Sequence, residues 1–153
     1  MRKSDYTKFM REAIKECLLG VKEGQSPFGC VIVKDGKIVA RAHNIVLLSS
    51  DPTAHAEVNA LRKAGKKLGI SLKGCVLFSS CEPCPMCFSA SHWAKVDEVV
   101  YGATIEDAKN LGFSELMLHD REFRRRGSRV KLIPNFLRAE AVNAMKTWKG
   151  KPY

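Results

Sequence analysis

No stretch of the 153-residue chain holds the roughly 18 or more consecutive apolar residues of a membrane-spanning helix. The opening MRKSDYTKFM also lacks the apolar run and small-residue cleavage site of a secretion signal. A soluble, cytoplasmic protein with no membrane partner is therefore expected. No internal repeat, low-complexity tract or linker-like composition interrupts residues 1–153, so one domain is expected across them. Acid is scarce: 16 Asp and Glu stand against 26 Lys and Arg, a net charge of +10. Such an excess concentrates anionic ligands and suits a phosphate-rich partner, nucleic acid included, but says nothing about fold.

What the chain does have is apolar content of 45%, enough for a single core. It also has six cysteines, at 17, 30, 75, 81, 84 and 87. Three of them crowd into seven residues with no export signal, which argues against a disulfide framework. Reduced thiols, some of them holding metal, are the better reading.

Apolar residues recur at spacings of three and four from Asp5 to Val21, the period of an amphipathic helix that Gly20 and Gly24 would close. FGCVIVK and KIVARA flank Asp35-Gly36 and read as an antiparallel hairpin. After the polar loop 49–53, AHAEVNALRKAGKKL suits a buried helix capped by Thr53 with His55 in its first turn. CVLFSS and EVVY read as short buried strands, and PCPMCFSASHWAK as a helix with proline in its first turn. Short helices around Gly112, a strand at VKLI and a helix over 137–148 complete the chain. Strands separated by helices predict an α/β sheet whose later members are parallel and whose two faces are covered.

The chemistry concentrates in TAHAEVN at 53–59 and CEPCPMC at 81–87. Zinc takes four nearly tetrahedral ligands, often thiolate and imidazole, and a catalytic zinc leaves one position for water. Cys84 and Cys87 lie three apart at a helix start, where exposed N–H groups favour thiolates, and His55 opens the preceding helix. If those helices lie side by side, His55, Cys84 and Cys87 form a zinc site. Glu57, two residues past His55, would then take a proton from the water and later deliver it. Cys81 is a weaker competitor for a ligand position, and Cys17, Cys30 and Cys75 read as core.

His-x-Glu followed by Pro-Cys-x-x-Cys resembles the signature of zinc nucleobase deaminases. From PFG-VIV through DPTAHAEVNALR and SCEPCPMC to the final tyrosine, the chain resembles the cytidine deaminase-like superfamily. Within it, Ser80-Cys81-Glu82-Pro83-Cys84 and Pro27-Phe28-Gly29 look like bacterial guanine deaminases and plant guanosine-deaminating relatives. The tRNA adenosine deaminases usually carry T-L-E-P-C and proline-valine-glycine at those places.

That resemblance implies a three-layer α/β/α fold, with a central mixed sheet of about five strands. It also implies a Zn2+ cofactor, a nucleobase or nucleoside substrate and a homodimer. Phe28 and Trp93 would flank a planar base, Asn44 would bond its edge, and the backbone at Ala54 and Ala56 would add polar contacts. Glu115, in Gly112-Phe113-Ser114-Glu115, falls where such relatives keep a second acid. Tyr153 matches a terminal tyrosine placed over the neighbouring subunit's site. Guanine would yield xanthine and ammonia.

Gln25-Ser26, Cys30, Ser89 and Ser91 depart from the guanine-type pattern and leave the substrate open among guanine, guanosine, ammeline and a pyrimidine base. The basic run 120–131 keeps a tRNA wobble adenosine deaminase as the runner-up, although a solvated face explains the run equally well. A zinc-stabilised RNA-binding module is the non-enzyme alternative.

Overall fold

The computed structural model describes residues 3–152, in the order α1 (Lys3–Lys22), β1 (Gly29–Lys34), β2 (Lys37–His43), α2 (Val46–Ser49), α3 (Ala56–Leu68), β3 (Cys75–Cys81), α4 (Pro85–Trp93), β4 (Glu98–Ala103), α5 (Ile105–Asn110), α6 (Asp120–Arg125), β5 (Lys131–Ile133) and α7 (Arg138–Met145). The strands form one mixed sheet in the order β2-β1-β3-β4-β5. β1 runs antiparallel to both β2 and β3, while β3, β4 and β5 are parallel.

Alternate side chains along each strand feed two separate cores, because successive residues point to opposite faces. Val31, Val33, Phe78 and Val100 go to one side, against Phe9, Met10, Ala13 and Cys17 of α1 and Ala141, Ala144 and Met145 of α7. Cys30, Ile32, Leu77 and Val99 go to the other, against Ala56, Ala60, Leu61 and Ala64 of α3 and Phe88 of α4. This is the expected three-layer α/β/α architecture. Among the described residues no helix is long and apolar enough to cross a membrane.

Several local features explain the layout. Asp35 and Gly36 both have positive φ (49° and 71°), as the two-residue hairpin turn between β1 and β2 requires. Gly29 is needed for a different reason: a Cβ there would stand 2.2 Å from the backbone nitrogen of Cys17, so α1 can lie directly on the start of β1. The outer strand β2 has carbonyls covered by lysines of α3: Lys63 Nζ donates to Arg41 O at 2.8 Å and Lys67 Nζ to Val39 O at 2.5 Å.

Three local expectations are corrected. Thr53 does not cap α3, because its hydroxyl and N–H both donate to Asp51 Oδ1, and His55 takes the N-cap position instead. Gly20 lies inside α1 and only Gly24, with φ 78°, closes it. Of the segment 105–119, expected to hold short helices, only Ile105–Asn110 (α5) is helical; 113–119 carries none and runs irregularly to α6.

Candidate active site

His55 and Cys84 hold equivalent places, as the N-caps of α3 and α4. Both have extended backbones (φ −67°, ψ 157° and φ −63°, ψ 167°), and neither side chain caps its own helix. Both side chains are thereby free to turn toward a common point, onto which the positive ends of two helices converge. Pro85 at the first helical position costs α4 no hydrogen bond, and Cys87 follows one turn after Cys84.

The Nδ1 of His55 is 3.6 Å from the Sγ of Cys84 and 3.6 Å from that of Cys87. Zinc–nitrogen and zinc–sulfur bonds of the usual lengths, meeting at a tetrahedral angle, separate their donor atoms by about 3.5 Å. All three donor atoms lie within 4.8 Å of one another. The trio therefore fits zinc, with one coordination position left over. Electrostatics agree: hydrogen bonding from Cys87, helped by His55 and opposed by burial, pulls the Cys84 thiol down to about 4. Cys87 is driven well above the usual thiol range because it holds the shared proton beside Cys84 and is buried. Burial works against a charged His55, yet its contact with Cys84 and the nearby carboxylate of Glu57 raise it.

Glu57 projects from the first turn of α3 into the same space and is only 5% exposed. Ser79 Oγ on β3 donates to its Oε1 at 2.8 Å. Burial and the Cys84 thiolate push the Glu57 carboxyl above the usual range, against the opposing pull of His55 and its hydrogen-bond donors. Phe28, His55, Glu57, Cys84 and Glu115 line a cavity of about 30 Å³. Glu115 is half-buried there, and burial, then the charge of Cys84, raise its carboxyl, with Glu57 adding and His55 opposing. A far larger surface cleft, about 510 Å³ between Lys73, Lys95 and Arg129, holds no cluster of metal donors among the described residues.

The remaining sequence expectations fare differently. Asn44 is 1% exposed and does not line the cavity; its Oδ1 accepts from Val46 N–H at 3.0 Å, which starts the short α2. Ala54 is corrected, since its N–H donates to Asp51 O and its carbonyl already accepts from Ile45 N–H and from Asn59 Nδ2. The side chain of Ala56 is fully buried in the α3 core, which leaves only its backbone for the expected polar contact. Trp93 is the largest correction. Its ring, 77% exposed at the end of α4, borders a separate cleft with Phe123 and Arg126 because the helix carries it away from the metal-binding end. Tyr153 lies outside the described residues.

Sequence reasoning missed Ser79 and the role of Glu82. The latter is 5% exposed, and its carboxylate accepts from Ile105 N–H, from Asp120 N–H and from His119 Nδ1. His119 Nε2 also faces Glu106 Oε1 at 3.1 Å. Glu82 thus ties the end of β3 to both ends of the stretch that carries Glu115. The alternation of β3 could have placed Ser79 on the α3 side, but no sequence signal pairs it with Glu57. Cys81 borders the cavity without joining the trio; its Sγ donates to Thr104 O at 3.4 Å.

A mixed five-stranded sheet presenting His, Cys, Cys and a buried Glu at the tips of two adjacent helices defines a zinc-dependent deaminase domain. Residues 3–103 match the family described as the cytidine and deoxycytidylate deaminase zinc-binding region, and the chain belongs to that family. It is similar to the guanine deaminase of Bacillus subtilis strain 168, with 49% identity over 113 residues and 72% of each chain covered. It is also similar to the tRNA-specific adenosine deaminase of Streptococcus pyogenes serotype M1, with 35% identity over 145 residues, 94% of this chain and 83% of that one. The solved guanine deaminase from Nitrosomonas europaea superposes with a TM-score of 0.84 at 25% identity, covering 91% of this chain and 81% of that one. The expected zinc cofactor and aminohydrolase class are thus borne out.

Proposed function

We propose that this protein hydrolytically deaminates a purine base, with guanine going to xanthine and ammonia. One observation carries the reading: Glu115 joins Glu57 in the cavity beside the metal-binding trio, giving the pocket two carboxyls of raised pKa. The identity shared with the Bacillus subtilis guanine deaminase supports it.

Zinc held by His55, Cys84 and Cys87 would supply an activated water near neutral pH. Glu57 accepts a proton from that water and passes it to the ring nitrogen next to the amine-bearing carbon; it then takes the remaining proton from the hydroxyl now on that carbon and delivers it to the departing amine. Its raised pKa makes that carboxyl a better proton acceptor than an ordinary glutamate. Phe28 offers an aromatic face to the base. Glu115 serves as a second proton carrier in the same cavity. The balance is base-bound NH2 plus water giving a carbonyl and ammonia.

We place the enzyme in the cytoplasm as one domain that pairs with a second copy. Six cysteines without disulfides support a reducing compartment.

A tRNA adenosine deaminase is the second reading, favoured by the 35% identity that extends over 94% of this chain. In the basic run, Arg125 is occupied at 3.1 Å by Glu122, which leaves fewer free cations for a phosphate backbone than the sequence suggests. Ammonia release from guanine, guanosine, cytosine, ammeline and a tRNA anticodon hairpin, measured side by side, separates the readings. Turnover of guanine is expected, and turnover of the hairpin alone overturns the proposal. Zinc-loaded Glu57→Ala protein is expected to be inactive, whereas an RNA-binding module would keep its function.

A further inference from the structure

The two serines near the end of β3, Ser79 and Ser80, face opposite layers. Ser80 Oγ accepts from Gly29 N–H at 3.0 Å, beneath α1. Ser79 Oγ donates to Glu57 Oε1 at 2.8 Å, beneath α3. Ser79 is 1% exposed, and its backbone stands between Cys30 of β1 and Tyr101 of β4 in the sheet. It is therefore a hydroxyl on the most constrained part of the fold, aimed at a carboxylate on the first turn of a helix.

A glutamate needs such a partner for its task. The terminal torsion of its side chain is broad and nearly twofold, so packing of the methylenes does not settle where the two oxygens point. Proton transfer, in contrast, requires the working oxygen within hydrogen-bond reach of both water and base, and errors of about 1 Å cost roughly a hundredfold in rate. We propose that Ser79 is a positioning residue for the proton shuttle: by holding Oε1 from the sheet, it turns Oε2 toward the metal-binding trio and the substrate. The proposal rests on the reading of Glu57 as that shuttle and is independent of which base is deaminated.

The test compares Ser79→Thr, Ser79→Val and Ser79→Ala in the full-length, zinc-loaded protein, on whichever substrate of the panel the wild type turns over fastest. Thr and Val have the same shape and differ in the hydroxyl, so their ratio isolates the hydrogen bond from packing. Ser79→Val and Ser79→Ala are expected to lose about ten- to a hundredfold in kcat, with KM within about twofold and zinc content unchanged, the size expected for a hydrogen bond to a charged group. Ser79→Thr is expected to stay within about threefold of wild type.

Equal kcat for the Thr and Val variants overturns the proposal. So does a Val effect that persists at full size in a Glu57→Gln background, where the shuttle is already gone. A crystal structure of zinc-loaded Ser79→Val reads the same point without turnover. Glu57 is expected to occupy more than one carboxylate orientation, and a single wild-type orientation refutes the idea even if the substrate assignment has failed.

Discussion

Trp148 stacks nearly parallel on Phe113, with ring centroids 4.9 Å apart and planes inclined by 24°. Phe113 in turn meets Phe28 edge-on at 5.0 Å, and Pro152 lies against Gly112, whose φ is +97°. The C-terminal segment of this same chain thus holds down the stretch that carries Glu115. The cavity beneath, about 30 Å³, matches the space of one water and is too small for a purine. Admission of a purine is therefore expected to require residues 113–119 to lift. Trp148→Ala removes the weight on that stretch, and hydrogen–deuterium exchange across 112–119 is expected to speed up about two- to tenfold, the worth of one aromatic pair. Unchanged exchange there would show that other contacts hold the stretch closed.

Metal removal should cost stability as well as activity, because the three donors come from two helices that zinc joins. Chelation is expected to lower the melting temperature by several degrees, and adding zinc back to restore it. Cys84→Ser and Cys87→Ser should bind well under one zinc per chain by elemental analysis. Cys81→Ser should retain about one, since its thiol stands outside the trio.

Asp120 offers a pH test on a residue that is not one of the metal donors. It is fully buried, both its carboxyl oxygens lack a hydrogen-bond partner, and burial, followed by the charge of Glu82, lifts its pKa to about 9. A carboxyl raised in the fold binds its proton more tightly there than in the unfolded chain. Its stabilising contribution is therefore complete below about pH 4, the unfolded value, and is lost as pH rises toward about 9. Asp120→Asn should match wild type in melting temperature near pH 4 and exceed it by about 2–4 °C or more at pH 8. A constant difference across that range would contradict a titrating origin.

Glu115→Gln keeps the size of the side chain and removes its proton chemistry. With Glu115 as second carrier, kcat should fall by about tenfold to a hundredfold, less than for Glu57→Gln, with zinc content unchanged. A surface carboxylate without a role would leave kcat where it was.

Much of this site was legible because its logic is local. His55 and Glu57 sit two apart at a helix start, and Cys84 and Cys87 three apart at another, so spacing alone brings each pair to one end of a helix. The sheet covered on both faces, with its later strands parallel, followed from strands separated by helices, and the β1–β2 hairpin from the Asp35-Gly36 turn. Trp93 was misplaced because a helix moves a residue about 1.5 Å along its axis per position, and nine positions of α4 carry the ring to the far end. Asn44 and Ala54 were assigned to the base on the resemblance, whereas the fold uses the Asn44 Oδ1 and both backbone groups of Ala54 in the loop between β2 and α3. Ser79 and Glu82 went unseen because their partners are 22 and 37 residues away, a separation that no local pattern encodes.

Lys63 and Lys67 bear on assembly. With the carbonyls of Val39 and Arg41 already taken by these ammonium groups, β2 presents charge where another strand would need acceptors. A second copy cannot simply extend the sheet past β2. Any pairing of subunits is to be sought on the helical surfaces, where Leu47, Leu48 and Trp93 remain open to solvent.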